Sequence, residues 1–340
     1  MADAAFAFIP FGAIIQSFKV RDVNIVLGFD TQERYEKYNS PYFGATIGRV
    51  ANRIKGAQLA NVNGRSYPLA ANNGPNTLHG GNIGWNKRIW KGPAPVGIKR
   101  IPGVEGLEGG ESVEFVLISE DGDEGFPGTV EAKVTYTAGK QTQDGKEVTV
   151  LGIEYEAQLL DGADETPVNI TNHSYFDLSG TASVDGTVIT LSTNNHLPSD
   201  LESIPTGPPT AFPGLDTAKP FTLTAKGPRV DHCFTKTDDP ASVPIDTRSE
   251  PLTRDIAAFH PKTGIHLEVL STEPSYQFYT GDGTDVPAVD GLTAKGSRSA
   301  FCCEPARWVN AVNVPEWKGM TLLKKGETYG SRIVYKAWSD

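Results

Sequence analysis

The 340-residue sequence lacks several features that define large classes of protein. No apolar run approaches the 18 residues that a transmembrane helix needs, and the first ten residues, MADAAFAFIP, lack the basic start of a secretory signal peptide. Only three cysteines are present, Cys233, Cys302 and Cys303, and sequence neighbours such as the last two rarely form a disulfide with each other. These absences predict a cytoplasmic protein with reduced thiols and no membrane partner.

Blocks of positive charge are also missing. The chain has 31 Lys and Arg residues against 41 Asp and Glu residues, a formal net charge of −10. An acidic protein without a basic patch repels phosphate backbones, so we expect neither nucleic acid nor an anionic membrane as a partner. A neutral small molecule is compatible with this charge.

The motifs that usually indicate a nucleotide-binding site, a nucleophilic serine or a cysteine-based metal site do not occur. There is no P-loop, no G-x-G-x-x-G opening a helix, no G-x-S-x-G and no C-x-x-C. Nucleotide-phosphate enzymes, dinucleotide oxidoreductases, nucleophile-elbow hydrolases and cysteine-based zinc sites are therefore disfavoured.

Helical periodicity is nearly absent. Only residues 31–38 predict a helix, of two turns and capped by Asp30 or Thr31. Several segments instead alternate apolar and polar residues, the pattern of a strand with one buried face. These segments are Glu114–Ile118, Val130–Tyr136, Glu147–Ala157, Thr187–Leu191, Ile265–Leu270 and Arg332–Trp338.

Glycine (36 residues) and proline (24 residues) are abundant and are spread along the whole chain, as in a protein with many turns. Stretches 93–110 and 203–220 are rich in both and are predicted as irregular loops. Because strands follow strands without intervening helices, the sequence predicts an all-β antiparallel sandwich or barrel. Neither loop separates regions of different composition, so residues 1–340 are predicted to form a single domain.

Three histidines lie in unusual surroundings. His79 precedes Gly80 and Gly81, His173 follows the polar run Thr171-Asn172, and His232 follows Asp231. Each histidine either has a role in function or is a structural residue whose polar atoms are hydrogen-bonded, and the sequence alone does not decide between the two. A metal site formed by His79, His173 and Asp231 is improbable, because no short ligand spacing such as H-x-x-x-H supports it.

Two charged residues are further candidates. Glu304 ends the apolar run Ala300–Cys303, where burial would raise its pKa, or else it marks the point where a strand meets water. Arg53 either forms a salt bridge at the edge of a site or directs the N–H donors of its guanidinium group at ligand oxygens.

Six segments, taken together and in order, resemble the aldose 1-epimerase (galactose mutarotase) family. They are Ser40–Ile54, Asn76–Gly81, Thr171–Gly180, Asp231–Phe234, Gln277–Gly281, and Cys303-Glu304 with Asn310–Asn313. The resemblance runs from about residue 28 to residue 338. It implies a large antiparallel β-sandwich of the galactose-mutarotase type that interconverts the α and β anomers of free hexoses such as glucose and galactose, with no cofactor and no metal.

The resemblance also implies roles for individual residues. Glu304 matches the general base that takes the proton from the C1 hydroxyl, His173 matches the general acid that protonates the ring oxygen, and His79 matches a residue assisting beside that oxygen. The residues matching those that hold the sugar hydroxyls are Asn52, Arg53, Asp231 and Gln277. Tyr175, Phe176 and Phe278 either pack on a C–H face of the sugar or belong to the core.

The sequence departs from the family pattern at Ala306, where Gln is frequent, and this leaves the preferred sugar open. A hexose-6-phosphate 1-epimerase is an alternative, although it requires several Lys or Arg residues and only Arg53 is clearly placed. A non-catalytic sugar-binding protein is another, although binding alone requires neither an acid nor a base. A glycoside hydrolase would require two carboxylates flanking the bond, which a His and a single Glu fit poorly. The oligomeric state stays open.

Overall fold

The structure, a computed structural model, describes residues 5–289 and 291–340. The strands of the first hundred residues are β1 (Phe6–Ile9), β2 (Ile14–Val20), β3 (Val23–Asn24), β4 (Ala45–Ile47), β5 (Arg53–Ile54), β6 (Gln58–Val62), β7 (Arg65–Pro68), β8 (Thr77–Leu78) and β9 (Lys91–Ile98). The next are β10 (Glu108–Ser119), β11 (Thr129–Gln143), β12 (Lys146–Asp161), β13 (Glu165–Pro167), β14 (Thr171–His173), β15 (Tyr175–Phe176), β16 (Val188–Leu191), β17 (Asn195–His196) and β18 (Thr210–Ala211). The last are β19 (Phe221–Thr222), β20 (Asp231–Thr235), β21 (Thr253–His260), β22 (Ile265–Ser271), β23 (Ser275–Tyr279), β24 (Phe301–Ala306), β25 (Leu322–Lys324) and β26 (Thr328–Ser339).

Helical structure is limited to short segments in the part of the chain that the structure describes. The α-helix α1 (Gln32–Tyr38) begins after Thr31, whose Oγ1 accepts a hydrogen bond of 3.4 Å from the backbone N–H of Arg34. The predicted helix and its cap are therefore confirmed. Single 3₁₀ turns occur at Lys55–Ala57, Trp85–Lys87, Asp123–Gly125, Pro240–Ser242, Ala311–Asn313 and Lys318–Met320. None of these helices is long and apolar enough to cross a membrane.

Two large antiparallel sheets dominate the fold. The larger has nine strands in the order β19-β16-β21-β22-β26-β12-β11-β10-β9, and the smaller has six in the order β15-β24-β23-β20-β17-β18. One apolar core joins them, with Val134 and Tyr155 from the larger sheet and Tyr276, Phe278 and Phe301 from the smaller. The predicted all-β antiparallel sandwich is confirmed, and every strand predicted from alternation lies in it.

The predicted loop at 93–110 is wrong over much of its length. Residues Lys91–Ile98 form β9, and β10 already begins at Glu108, so only residues 99–107 connect strands. Strand β9 is at the edge of its sheet, where Pro93 and Pro95 are tolerated because an edge strand can lack N–H donors on its free side. The segment 203–220 is largely irregular, as predicted.

The smaller sheet has one face in the core and one face turned away from it. Side chains alternate along β24, so Phe301 and Cys303 enter the core while Glu304 points to the other face. Tyr276 and Phe278 of β23 likewise enter the core, and Gln277 lies beside Glu304. The second face of this sheet is therefore where its polar side chains collect.

Candidate active site

Strand register brings three of the predicted site residues together on the second face of the smaller sheet. Gln277 is the direct cross-strand partner of Glu304, and Asp231 on β20 is the partner of Tyr279. Gln277 Nε2 donates a hydrogen bond of 2.6 Å to Asp231 Oδ1. The amide therefore fixes the position of the neighbouring carboxylate.

Short strands from the first half of the chain supply the opposite wall. His173 ends β14, which pairs with β4, and Arg53 begins β5, which pairs with β8. His79 follows β8 directly and has a positive φ of 50°. These connections bring residues that are 120 positions apart in sequence into one wall.

All seven predicted site residues line one cavity of about 370 Å³. They are Asn52, Arg53, His79, His173, Asp231, Gln277 and Glu304. The other lining residues are Ser40, Pro41, Tyr42, Leu78, Tyr175, Tyr279, Gly283 and Asp285. The volume lies within the range usual for small-molecule sites, and the lining combines aromatic surface with convergent polar groups.

His173 and Glu304 form the most buried polar pair of the cavity wall. His173 Nε2 lies 3.5 Å from Glu304 Oε2, and the two side chains are 6% and 5% exposed. Burial lowers the pKa of His173 to about 3. Burial, assisted by the negative charge of Asp231 and opposed by Arg53, raises the pKa of Glu304 well above its usual value. The substrate-free pair therefore favours the state in which both groups are neutral.

His79 is held as a neutral imidazole of one tautomer. Its Nδ1 accepts a hydrogen bond of 3.2 Å from the backbone N–H of Asn52, so the ring proton is on Nε2. Burial, followed by repulsion from His173 and Arg53, lowers the pKa of His79 well below its usual value. The side chain is thus a hydrogen-bond donor, without a charge, toward the cavity.

The only potential metal cluster in the described part of the chain is formed by His79, His173 and Glu304, whose ligand atoms lie within 4.8 Å of one another. The hydrogen bonding of the two histidines is poorly compatible with a bound metal. A metal on Nε2 of His79 would move the ring proton to Nδ1, against the N–H of Asn52. Nδ1 of His173, which would have to donate to an outer acceptor, has no hydrogen-bond partner. The donor set suits proton transfer better than metal binding.

Aromatic rings hold the imidazole of His173. Tyr175 stacks on it with ring centroids 5.2 Å apart, and Tyr42 stacks on it at 5.5 Å. Tyr42 also contacts His79 edge-on at 4.7 Å. Of the three aromatic residues considered for contact with a sugar, only Tyr175 lines the cavity, because Phe176 and Phe278 alternate into the core.

Gly80 and Gly81 serve protein packing. A Cβ on Gly80 would lie 2.0 Å from the carbonyl oxygen of Gly48, and one on Gly81 would lie 2.2 Å from the Glu124 carboxylate. Both glycines also have positive φ. Neither lines the cavity, so their absence of side chains permits the backbone after His79 to pack closely against the protein.

Arg53 is oriented by two amides. Its Nε donates to Asn73 Oδ1 at 3.0 Å, and its Nη1 donates to Asn52 Oδ1 at 3.4 Å. Asn73 is a supporting residue that was not predicted from the sequence. The cavity wall also contains Ser40, Tyr42, Tyr279 and Asp285, which were not predicted as site residues. The first three lie within resembling segments, whereas Asp285 gave no signal.

Comparison with known proteins gives a consistent result along the chain. The family model described as aldose 1-epimerase matches residues 2–336. The bifunctional protein GAL10 of Pachysolen tannophilus is 44% identical over 330 residues, which are 96% of this chain and 44% of that protein. Galactose mutarotase of Bos taurus is 36% identical over 339 residues, covering 96% of this chain and 89% of that protein. The chain thus spans less than half the length of the bifunctional relatives.

A solved structure shows the same architecture. The GalM/aldose epimerase homologue from C. elegans superposes with a TM-score of 0.77 at 26% sequence identity, covering 98% of this chain and 99% of that one. The fold is therefore the galactose-mutarotase sandwich.

Proposed function

Since this chain belongs to the aldose 1-epimerase family, we propose that it interconverts the α and β anomers of free hexoses such as galactose and glucose. The observation that carries the proposal is the buried pair of Glu304 and His173, 3.5 Å apart, in a cavity lined by all the polar residues expected around a sugar.

The proposed reaction is a reversible ring opening. Glu304 takes the proton of the C1 hydroxyl while the bond between C1 and the ring oxygen breaks, and C1 becomes an aldehyde carbon. His173 gives its proton to the ring oxygen at the same time. After rotation about the C1–C2 bond, the two residues exchange roles and the ring closes on the other face. Positioned proton transfer of this kind contributes on the order of 10²- to 10⁴-fold.

The pair carries one proton throughout this cycle. The proton is on His173 when the ring is closed and on Glu304 when the ring is open. Burial disfavours both charges, so the substrate-free pair keeps the proton on Glu304. Binding of the hemiacetal moves it to His173, because the C1 hydroxyl donates to the carboxylate and the ring oxygen accepts from the imidazolium. Two distributions of one proton thus support both directions of the reaction.

The remaining polar groups position the sugar in this proposal. The Nε2–H of His79 donates a hydrogen bond on the ring-oxygen side, and Arg53 and Asn52 donate to hydroxyl oxygens. Asp231 accepts from a sugar hydroxyl while Gln277 holds it. Anomer exchange transfers no electron and no group, so its chemistry calls for no cofactor.

The free sugar is favoured over a sugar phosphate. Arg53 is the one Lys or Arg among the residues that line the cavity in the described structure, whereas Asp231 and Asp285 are acidic. A phosphate dianion would be repelled by this balance. We further propose that residues 1–340 act as one cytoplasmic domain whose partner is its sugar substrate.

Polarimetry tests the function. Fresh α-D-galactose or α-D-glucose is mixed with the protein, and the approach of optical rotation to equilibrium is compared with buffer alone. We expect strong acceleration by the native protein and loss of nearly all of it in Glu304→Gln, with Glu250→Gln, an exposed carboxylate exchanged in the same way, as the control. If the native protein does not accelerate the change in optical rotation, the proposed activity is ruled out. Sugar binding without acceleration would instead indicate a binding protein, and faster turnover of glucose 6-phosphate than of glucose would indicate the phosphate-specific alternative.

A further inference from the structure

A second, much smaller cavity adjoins the sugar pocket. Its volume is about 10 Å³, and Asn52, Gln277 and Glu304 line both cavities. The remaining wall includes Thr171 and Ala306. A space of this size matches the smallest volume that holds one water molecule.

Two buried polar atoms of this wall have no hydrogen-bond partner. They are the hydroxyl Oγ1 of Thr171 and the amide oxygen Oε1 of Gln277, on residues that are 1% and 8% exposed. Other polar groups of the wall are satisfied within the protein, since Ser275 Oγ donates to the carbonyl of Ala306 and the guanidinium of Arg307 is hydrogen-bonded throughout. Unpaired buried polar atoms are costly and are normally matched by ordered water.

We propose that this space is a hydration site, the Thr171 site, in which one water molecule links Thr171 and Gln277 to the carboxylate of Glu304. The water accepts a hydrogen bond from the Thr171 hydroxyl and donates to Gln277 Oε1 and to Glu304. Both protons of the water are then used, and both unpaired atoms gain a partner. The inference rests on the proposed function, in which Glu304 is the base, and it makes Thr171 a positioning residue for that base.

The consequence for Glu304 follows from the direction of this hydrogen bond. A donor to the ionised carboxylate favours the charged form and opposes the effect of burial. The titratable and charged groups around the carboxylate are His79, His173, Asp231, Arg53, Tyr175, Tyr335, Cys302 and Cys303. In the substrate-free protein Arg53 is the one cation among these, so the water supplies a second interaction that stabilises the ionised carboxylate.

Ala306 keeps the space open. It is two residues after Glu304 on β24 and therefore faces the same side of the sheet, where its cross-strand partner is Ser275. A larger side chain at this position would occupy the volume of the water. The departure from the family pattern thus coincides with the wall of the proposed hydration site.

The test combines crystallography with a pH profile of kcat/KM for galactose in wild type, Thr171→Val and Thr171→Ser. We expect electron density for one water within hydrogen-bond distance of Thr171 Oγ1, Gln277 Oε1 and Glu304 in the wild type, and none in T171V. The alkaline limb should move up by about half a pH unit or more in T171V, while T171S restores the wild-type profile. Ala306→Val, which fills the space and keeps the hydroxyl, should shift the limb in the same direction.

Two outcomes overturn the inference. One is a wild-type crystal structure at high resolution without density at the site, and the other is a T171V profile that coincides with that of the wild type. A protein that shows the water but does not accelerate mutarotation retains the hydration site and refutes the proposed function. The two failures are therefore distinguishable.

Discussion

His173 and Glu304 come from different sheets, yet His173 Nε2 and Glu304 Oε2 lie 3.5 Å apart. Neither side chain has another acid or base as close to it among the ion pairs of the described residues. Two aromatic rings fix the imidazole, and the register of β23 with β24 fixes the carboxylate. This geometry lets one proton be exchanged through a bound hemiacetal.

Removal of the proposed acid should be nearly as damaging as removal of the base. His173→Asn keeps a polar side chain but cannot accept and return a proton, so kcat should fall about 10²- to 10⁴-fold. Because the two residues act as a unit, the double variant with Glu304→Gln should be little worse than either single variant. Polarimetric kinetics on galactose measure both, and full additivity in the double variant would contradict a shared mechanism.

His79 should act as a neutral donor. His79→Gln retains an N–H donor, whereas His79→Ala removes it, so we expect kcat/KM to fall about tenfold or more in H79A and less in H79Q. The loss should be the same from pH 6 to pH 8, because burial lowers the pKa of His79 well below its usual value and keeps the imidazole neutral. A loss that shrinks as the pH rises through 6 to 7 would show that the charged form matters instead.

Removing a negative charge and removing a positive charge near Glu304 should shift the alkaline limb of the pH profile in opposite directions. The active pair holds one proton, and raising the pH above the elevated pKa of Glu304 removes it, so this pKa sets the alkaline limb. Asp231 raises that pKa and Arg53 lowers it. Asp231→Asn should therefore move the alkaline limb of kcat/KM down by about one pH unit, and Arg53→Gln should move it up.

Arg53→Lys, which keeps the charge, is the control for that experiment. The acidic limb should stay well below pH 6.5 in all these variants, because a second proton enters the pair only near the lowered pKa of His173, about 3. Shifts of the alkaline limb in the same direction for D231N and R53Q would refute the assignment to Glu304.

Stability should depend on a buried ion pair next to the site. Arg307 and Glu273 form a salt bridge with both side chains fully buried, and Arg307 also donates to the carbonyls of Met320, Ile245 and Gly330. Arg307→Met leaves the carboxylate buried without its partner, so the free energy of unfolding should fall by about 3–5 kcal/mol. Urea denaturation measures this, and the double variant with Glu273→Gln should recover part of the loss. An R307M protein as stable as the wild type would contradict it.

Gly80 should tolerate a side chain far less than a glycine with free space around it. Gly80→Ala places a Cβ against the carbonyl of Gly48, whereas Gly64→Ala, at a similar positive φ, meets no atom within 4 Å. G64A should cost about 1 kcal/mol from backbone conformation alone. G80A should cost clearly more and should also lower kcat/KM, because it displaces His79. Equal effects of the two variants on stability and activity would argue against the close packing of Gly80 on Gly48.

Much of the fold could be predicted because the apolar–polar alternation in the sequence matches the buried and exposed faces of the strands. Alternation along 130–136 and 147–157 predicted strands that the structure confirms as β11 and β12. Residues 93–98 were mispredicted because Gly and Pro usually indicate loops, and only the position of β9 at a sheet edge explains its tolerance of both. Position in a sheet is a tertiary property that composition does not report.

The site was predictable in part for a similar reason. The placement of Glu304 after an apolar run already suggested burial, and the structure shows that its neighbour Cys303 enters the core. The stacking of Tyr42 on His173 could not be inferred, because it depends on the pairing of β4 with β14, two strands far apart in the sequence. The packing of Gly80 against Gly48 could not be predicted, because two adjacent glycines indicate that the backbone can be approached closely but not by which group.

The alternation of Cys303 and Glu304 on β24 also bears on how the protein folds. A slip of β24 by a single residue would send the carboxylate into the apolar core and bring the thiol to the pocket. The free energy of burying an unpaired carboxylate in such a core opposes that error strongly. The side chain that the proposed reaction requires therefore also disfavours incorrect strand pairing. A variant with an apolar residue at position 304 would lose the base and would also form misregistered β24 more readily.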